Sequence, residues 1–267
     1  MDQEDFNFST EKYLKRIGYT QKPEISIDCL TAIHRAHLRS VPFENFDICL
    51  KRAISLEPAA IFEKLVVKKR GGYCFETNGL FLMALKALGF NARALLGRVH
   101  VHGPPTGKSH QISLVTIGEQ QWLLDVGFGG STPPLAIPLQ FDQSFGSGET
   151  VLRLVKHELY GSMLQAQKDG EWNNFYSFEM NHVCAGDIDY GNYYTSTNPG
   201  SFFTTARVAA IRTESGVTTL LNHTLKIQSG GEVIEERQVE EGQVYLDMLR
   251  ETFGIDLGAS YDSLKPL

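Results

Sequence analysis

Seven consecutive residues, Arg70-Gly71-Gly72-Tyr73-Cys74-Phe75-Glu76, constrain this chain more than any other stretch. Paired glycines predict a tight turn, since glycine alone takes positive φ without steric cost. Directly after them Leu80, Phe81, Ala84, Leu85 and Leu88 recur every three or four residues, the pattern of a helix, and Gly89 ends it. Cys74 therefore stands at a helix start, where free N–H groups and the macrodipole favour an anion. A thiol there is expected to fall from about 8.5 toward neutrality and supply thiolate, the reactive form. Taken alone, such a cysteine reads first as a small buried hydrophobe. The residues downstream change that reading.

With 267 residues, 42% of them hydrophobic, the chain can bury a sizeable core as one large domain or two to three small ones. Its net charge of −6 argues against nucleic acid or an anionic membrane surface as a partner. No apolar run of about 18 residues is present, so no helical membrane span is expected. The acidic start Met1-Asp2-Gln3-Glu4-Asp5 lacks the basic-then-apolar pattern of a secretory signal. Cys29, Cys49, Cys74 and Cys184 are scattered without a CxxC pair. That disfavours a disulfide framework or a Cys-rich zinc site and makes a reducing cytoplasm the expected compartment.

The N-terminal third reads as helices. One is capped by Ser9 or Thr10 and carries Tyr13, Leu14 and Ile17; a second runs from about Ser26 with Ile27, Leu30, Ile33 and His37 on one side, and ends before Pro42. A third opens at Pro58 and buries Ile61, Phe62, Leu65 and Val66; the Cys74 helix is the fourth. Val41-Pro42-Phe43-Glu44-Asn45-Phe46 is expected as an aromatic loop, either a plug in the helical layer or a hydrophobic wall for a flat substrate. Strands follow at 92–101, 109–117, 121–126, 151–159, 162–167 and 172–178. The polar stretch 192–203 reads as a linker passing the site, followed by strands at 206–213, 218–228 and 233–238 and a helix at 241–252. Helices, a β-rich middle and a small mixed end predict an α+β fold rather than alternating βαβ units.

A nucleophilic thiol needs an imidazole to take its proton and a third group to hold the ring. His110 and Asp125 fall on the two strands of one hairpin. An even-numbered turn near Gly118 puts both on one face, and a two-residue turn at Ile117-Gly118 puts Asp125 directly opposite His110; an odd turn separates them. Asp125 stands at the end of an apolar strand, Trp122-Leu123-Leu124, where a charge is costly unless paired. Its alternative role is to cap the following turn. The run Gly127-Phe128-Gly129-Gly130-Ser131 offers bare N–H groups of the kind that cradle phosphate, yet it leads into Thr132-Pro133-Pro134 and no helix, so it is neither a Walker loop nor a dinucleotide fingerprint. His100, His102 and His110 have no thiol or acidic ligand at a suggestive offset, and no metal is expected.

These pieces, with Ser109-His110, Asp125-Val126-Gly127-Phe128-Gly129 and Tyr194-Thr195-Ser196-Thr197-Asn198-Pro199, resemble the arylamine N-acetyltransferase family, bacterial type, in order and spacing over most of the chain. The resemblance implies a helical bundle (1–89) carrying the nucleophile, a central β-barrel (90–191) carrying histidine and aspartate, a linker (192–204) and a C-terminal α/β lid (205–267), with a papain- or transglutaminase-like cysteine site. It implies ping-pong acetyl transfer from acetyl-CoA to arylamines, arylhydrazines or N-hydroxyarylamines. Cys74 would be the acylated nucleophile, His110 the base and Asp125 its orienter. Phe43, Val99, Phe128 and Phe202 would line the amine pocket, Gly127, Gly129, Gly130 and Ser131 would lie near the phosphates of the coenzyme, and Arg70 and Glu76 would hold the motif by hydrogen bonds. Asn198 stands where a histidine is expected, and Gly200-Ser201-Phe202-Phe203 is looser than the family's run; both bear on the substrate side. A cysteine hydrolase or transglutaminase-like enzyme would use the same three residues, and a ligand-binding module would leave Cys74 structural.

Overall fold

Ser9 accepts the Lys12 N–H at 3.3 Å and opens helix α1 (Thr10–Arg16). Ser26 does the same for Cys29 at 3.2 Å at the start of α2 (Ile27–Ser40). The computed structural model to which these elements belong describes residues 6–101, 103–147 and 150–267; the acidic residues 1–5 and His102 lie outside the described residues. The aromatic loop expected after α2 is instead a short strand, β1 (Phe43–Glu44), and one helical turn, α3 (Phe46–Cys49). Pro58 opens α4 (Pro58–Phe62), which runs on into a single π-helical turn, Glu63–Val67. Then comes α5 (Cys74–Ala87). Leu30, Ile33, Leu65, Leu80, Phe81 and Leu85 from these helices close into one buried core.

The middle of the chain forms β2 (Asn91–Val99), β3 (His110–Ile117), β4 (Gln120–Leu124), β5 (Ile137–Pro138), β6 (Ser144–Ser147), β7 (Thr150–His157), β8 (Gly161–Lys168) and β9 (Glu171–Phe178). They pair antiparallel in the order β5-β4-β3-β2-β9-β8-β7-β6. A bridge between Phe141, just past β5, and Leu154 of β7 draws the two ends together into a nearly closed barrel. Leu95, Ile112, Leu123, Leu154, Leu164 and Tyr176 form its core. Helix α5 lies against β2 and β3, which brings the Cys74 end of the bundle to the wall of the barrel.

The expected linker is mostly helix: α6 (Ala185–Thr197) and α7 (Phe202–Thr205). Only Gly191 and Thr195 of α6 are buried, so it carries no apolar stripe for a sequence reading to find. Its hydroxyls fold back onto the helix's own carbonyls, Ser196 donating to that of Asn192 at 2.7 Å and Thr197 to that of Tyr193 at 2.6 Å. The end of the chain forms β10 (Val208–Arg212), β11 (Gly216–Leu221), β12 (Thr224–Ser229), β13 (Glu232–Gln238) and α8 (Gln243–Phe253). The single strand expected at 218–228 is thus two. Asn222 takes a left-handed φ of 55° in the two-residue turn between paired Leu221 and Thr224. This sheet runs β1-β10-β11-β12-β13, with Phe43 opposite Ala210 and Glu44 opposite Ala209, so the helical region supplies its edge strand. Among the described residues no helix is long and apolar enough to cross a membrane.

Candidate active site

Neither Gly71 nor Gly72 has a positive φ, contrary to the sequence expectation. The turn needs glycine for room. A Cβ on Gly71 would stand 2.0 Å from the Pro42 carbonyl oxygen, and one on Gly72 2.7 Å from the Glu76 Cβ. This close approach lets Glu44 N–H donate to the Gly72 carbonyl at 3.0 Å and Gly72 N–H to that of Pro42 at 3.3 Å. Paired charges hold the turn. Arg70 donates to Glu44 Oε1 from Nε (2.9 Å) and Nη2 (2.7 Å). Lys64 Nζ bridges Asp47 (2.6 Å) and Glu76 Oε1 (2.7 Å), while Glu76 Oε2 accepts the Tyr73 N–H at 3.2 Å. Burial works to raise the Asp47 carboxyl, but Lys64 and Arg70 together hold it below its ordinary range. Burial lifts Glu76 to about 7 against the pull of Lys64.

Cys74 is the first residue of α5 and is buried. Its Sγ lies 3.6 Å from the carbonyl oxygen of Ser109, the residue before His110. His110 Nε2 lies 2.7 Å from Asp125 Oδ2. Burial would raise the Asp125 carboxyl, but His110, with hydrogen bonds from Asn78 and the Gly127 N–H, holds it below its ordinary range and hence ionised. An ionised carboxylate only accepts, so Nε2 carries the proton and Nδ1 is left as the basic nitrogen. Phe128 and Tyr176 flank the imidazole, each ring centre 5.0 Å away.

The hairpin turn is Gly118-Glu119, one residue later than the register that places Asp125 directly opposite His110. The turn is still even, so both side chains share a face. Continuing the pairing of Ser113 with Leu124 by one step sets Asp125 against Ile112, the next same-face residue after His110, and the two meet on the diagonal. The expectation for the thiol also needs correcting. Burial pushes the Cys74 thiol up; the Gln111 N–H opposes this, the Asp125 charge adds to it, and the Phe75 N–H offsets only part. A helix start alone does not yield thiolate here, and loss of the thiol proton requires a base beside it.

Cys74 and His110 open on a cavity of about 500 Å³. All four residues of the amine-pocket expectation line it (Phe43, Val99, Phe128 and Phe202), as do Gly127, Gly129, Gly130 and Ser131. Two N–H groups of that glycine-rich run are already occupied: Gly127 donates to Asp125 Oδ1 at 2.8 Å and Phe128 to Thr132 Oγ1 at 2.8 Å. Gly127 is glycine because a Cβ there would stand 2.9 Å from Cys74 Cα. Phe203, named in the run after Gly200 as bearing on the substrate side, lines the cavity, whereas sequence reasoning missed Asn78, whose Nδ2 donates to Asp125 Oδ1 at 3.0 Å. It also missed Tyr176, buried against His110, whose hydroxyl is pushed well above its ordinary range by burial and the Asp125 charge. The one available signal was a polar Asn78 one turn beyond Cys74, on the same side of the helix. Among the described residues no group of three His, Cys, Asp or Glu side chains could hold a metal, and His100 Nε2 pairs with Ser177 Oγ at 2.9 Å.

A buried thiol and an imidazole thus line one apolar cavity, with a buried carboxylate bonded to the imidazole from behind. The N-acetyltransferase family model matches residues 26–261. The chain is 35% identical over 248 residues to the arylamine N-acetyltransferase of Escherichia coli (strain K12), spanning 91% of this chain and 87% of that protein. The solved arylamine N-acetyltransferase of Salmonella typhimurium aligns with a TM-score of 0.91 at 30% identity over 95% of both chains. That of Mycobacterium marinum in complex with CoA aligns at 0.89, also at 30% identity, over 96% of this chain and 97% of that one. The chain belongs to the arylamine N-acetyltransferase family.

Proposed function

We propose that this chain transfers an acetyl group from acetyl-CoA, through a thioester on Cys74, to the nitrogen of arylamines or arylhydrazines or the oxygen of N-hydroxyarylamines. The observation that carries this reading is Cys74 and His110 opening together on an apolar cavity, with His110 tied to buried Asp125 at 2.7 Å. His110 Nδ1 takes the thiol proton as Sγ attacks the thioester carbonyl, and Asp125 stabilises the imidazolium. N–H groups at the start of α5 meet the developing oxyanion. The carbon–sulfur bond to the coenzyme breaks, and its thiolate takes the proton from His110. An amine then attacks the acetyl-cysteine and loses its proton to His110; the Cys74 sulfur leaves and recovers that proton. Phe43, Val99, Phe128 and Phe202 form the aromatic acceptor's wall, and exclusion of water by it keeps hydrolysis slow.

That a relative was solved in complex with CoA supports the coenzyme as co-substrate. Its polar portion, in this reading, lies near Gly129, Gly130 and Ser131, which line the cavity with Cys74. Gly127 would act there by leaving space, since its N–H serves Asp125. In this reading the bundle (1–89), the barrel (90–191) and the C-terminal α/β unit (205–267) enclose the cavity, the last as a lid, and the enzyme works in the cytoplasm. Rapid mixing with acetyl-CoA tests the proposal. A burst of free CoA equal to the enzyme, with acyl-enzyme that persists until an aromatic amine is added, is expected. No burst, together with amide cleavage, would replace it with a cysteine hydrolase.

A further inference from the structure

Two histidines one turn apart on α2, His34 and His37, are fully buried, and the chemistry proposed above uses neither. They serve different neighbours. His37 Nδ1 pairs with the Tyr13 hydroxyl at 2.9 Å inside the helical bundle. His34 Nε2 instead lies 2.9 Å from the main-chain carbonyl oxygen of Asp125, across the boundary between bundle and barrel. A carbonyl only accepts, so His34 is protonated at Nε2. Its Nδ1 has no hydrogen-bond partner among the described residues. Burial, opposed in part by Asp125, brings its pKa down to about 4, which keeps the ring neutral at neutral pH. The single hydrogen bond of a fully buried imidazole is therefore spent on the backbone of the residue that orients His110.

That carbonyl is one end of the Asp125–Val126 peptide group. Its other end, the Val126 N–H, donates to Asn78 Oδ1 at 3.1 Å. Strand β4 ends at Leu124, so among the described residues no ladder partner fixes this peptide. Side chains from α2 and α5 grip it at both ends instead. The plane of that peptide sets ψ of Asp125, and with it the direction in which the carboxylate leaves the chain.

We infer that His34 is a positioning residue: as a neutral Nε2–H donor it fixes the Asp125–Val126 peptide plane, so that the Asp125 carboxylate meets His110 in the geometry acyl transfer requires. The inference rests on the acetyl-transfer reading, and the imidazole sits in an apolar core with this contact although its Nδ1 is left unpaired among the described residues, which is costly for a buried polar atom. Misplacement of a catalytic group by about 1 Å can lower a rate by about 100-fold.

The test compares His34→Gln with His34→Met, side chains of similar length and volume of which only glutamine carries a donor near the Nε2 position. Acetylation of Cys74 by acetyl-CoA is followed by intact mass in single turnovers, with melting temperature as the measure of folding and steady-state KM for acetyl-CoA alongside. The expected result is a fall of about 10- to 100-fold in acetylation rate for methionine, with KM little changed, and recovery to within about threefold of wild type for glutamine. Equal rates in the two folded variants would overturn the inference, as would a loss confined to KM. If His34→Met does not fold, His34→Asn, whose amide falls short of the carbonyl, takes its place under the same criteria. Wild-type protein that fails to acetylate would sink the acetyl-transfer reading itself, an outcome distinct from equal behaviour of the variants.

Discussion

Asp125 is held at every polar atom of its side chain and at its carbonyl. Oδ2 meets His110, Oδ1 takes the Asn78 amide and the Gly127 N–H, and the carbonyl meets His34. A turn-capping aspartate would need only the Gly127 contact, which is present as well, so one side chain accommodates both sequence readings. Replacing Asp125 by Asn keeps the shape but removes the charge that, in the proposed mechanism, steadies an imidazolium and selects the tautomer of His110. Acetylation of Cys74 is expected to fall by about 10³- to 10⁴-fold with the fold retained. A folded Asp125→Asn variant acetylated at the wild-type rate, followed by intact mass against circular dichroism, would reduce Asp125 to its turn contact. Cys74 itself was only half legible. Its place at a helix start followed from the spacing of Leu80, Phe81 and Ala84, but the burial that raises its thiol depends on the barrel and could not be read locally.

At the scale of elements, the turn at Gly71 and the hairpin at Gly118 make opposite demands on glycine. Gly71 faces backbone that cannot move aside, with the Pro42 oxygen 2.0 Å from where a Cβ would stand. Gly118 has open space but a φ of 59°. Gly71→Ala should therefore destabilise by about 3 kcal/mol or more, and Gly118→Ala by about 1 kcal/mol. Denaturant melts measure both, and equal costs would show that crowding at the turn before Cys74 is not what requires glycine. The charge cluster beneath that turn adds a pH dependence. Asp47 has a folded pKa below its unfolded value of about 3.9, so its contribution is fully present above that value and is lost as pH falls through the folded pKa. Melting temperature should drop on acidification below about pH 4, and less steeply in Asp47→Asn; parallel curves would contradict this. Glu76, lifted to about 7, works in the opposite direction, losing stability as pH rises from about 4.3 through that value.

Across the whole molecule, the alternation of apolar residues made the barrel strands and the shared face of His110 and Asp125 legible, because every even-numbered turn leaves the two on the same face. The turn position itself was not legible, since Ile117, Gly118 and Glu119 allow more than one even register. Nor was β1: Phe43 and Glu44 become a strand only because Ala209 and Ala210, far along the chain, pair with them. Asn45 stitches the same junction, donating to the Phe203 and Ala206 carbonyls (2.8 and 2.7 Å) and accepting the Val208 N–H (2.8 Å). Phe46 and Cys49 of α3 share a core with Leu220, Tyr245 and Leu249. The C-terminal unit is thus built into the helical region, and a fragment ending at residue 204 should lose cooperative unfolding, while the full chain melts in one transition. A fragment that melts as sharply as the full chain would mark the C-terminal unit as independent.

Cys74 as the carrier of the acyl group is tested most directly by the intact mass of the protein after incubation with acetyl-CoA, wild type beside Cys74→Ala. One acetyl group on the wild type, discharged by an aromatic amine, and none on the variant is the predicted result. Acetylation of neither protein, or of both equally, would contradict it.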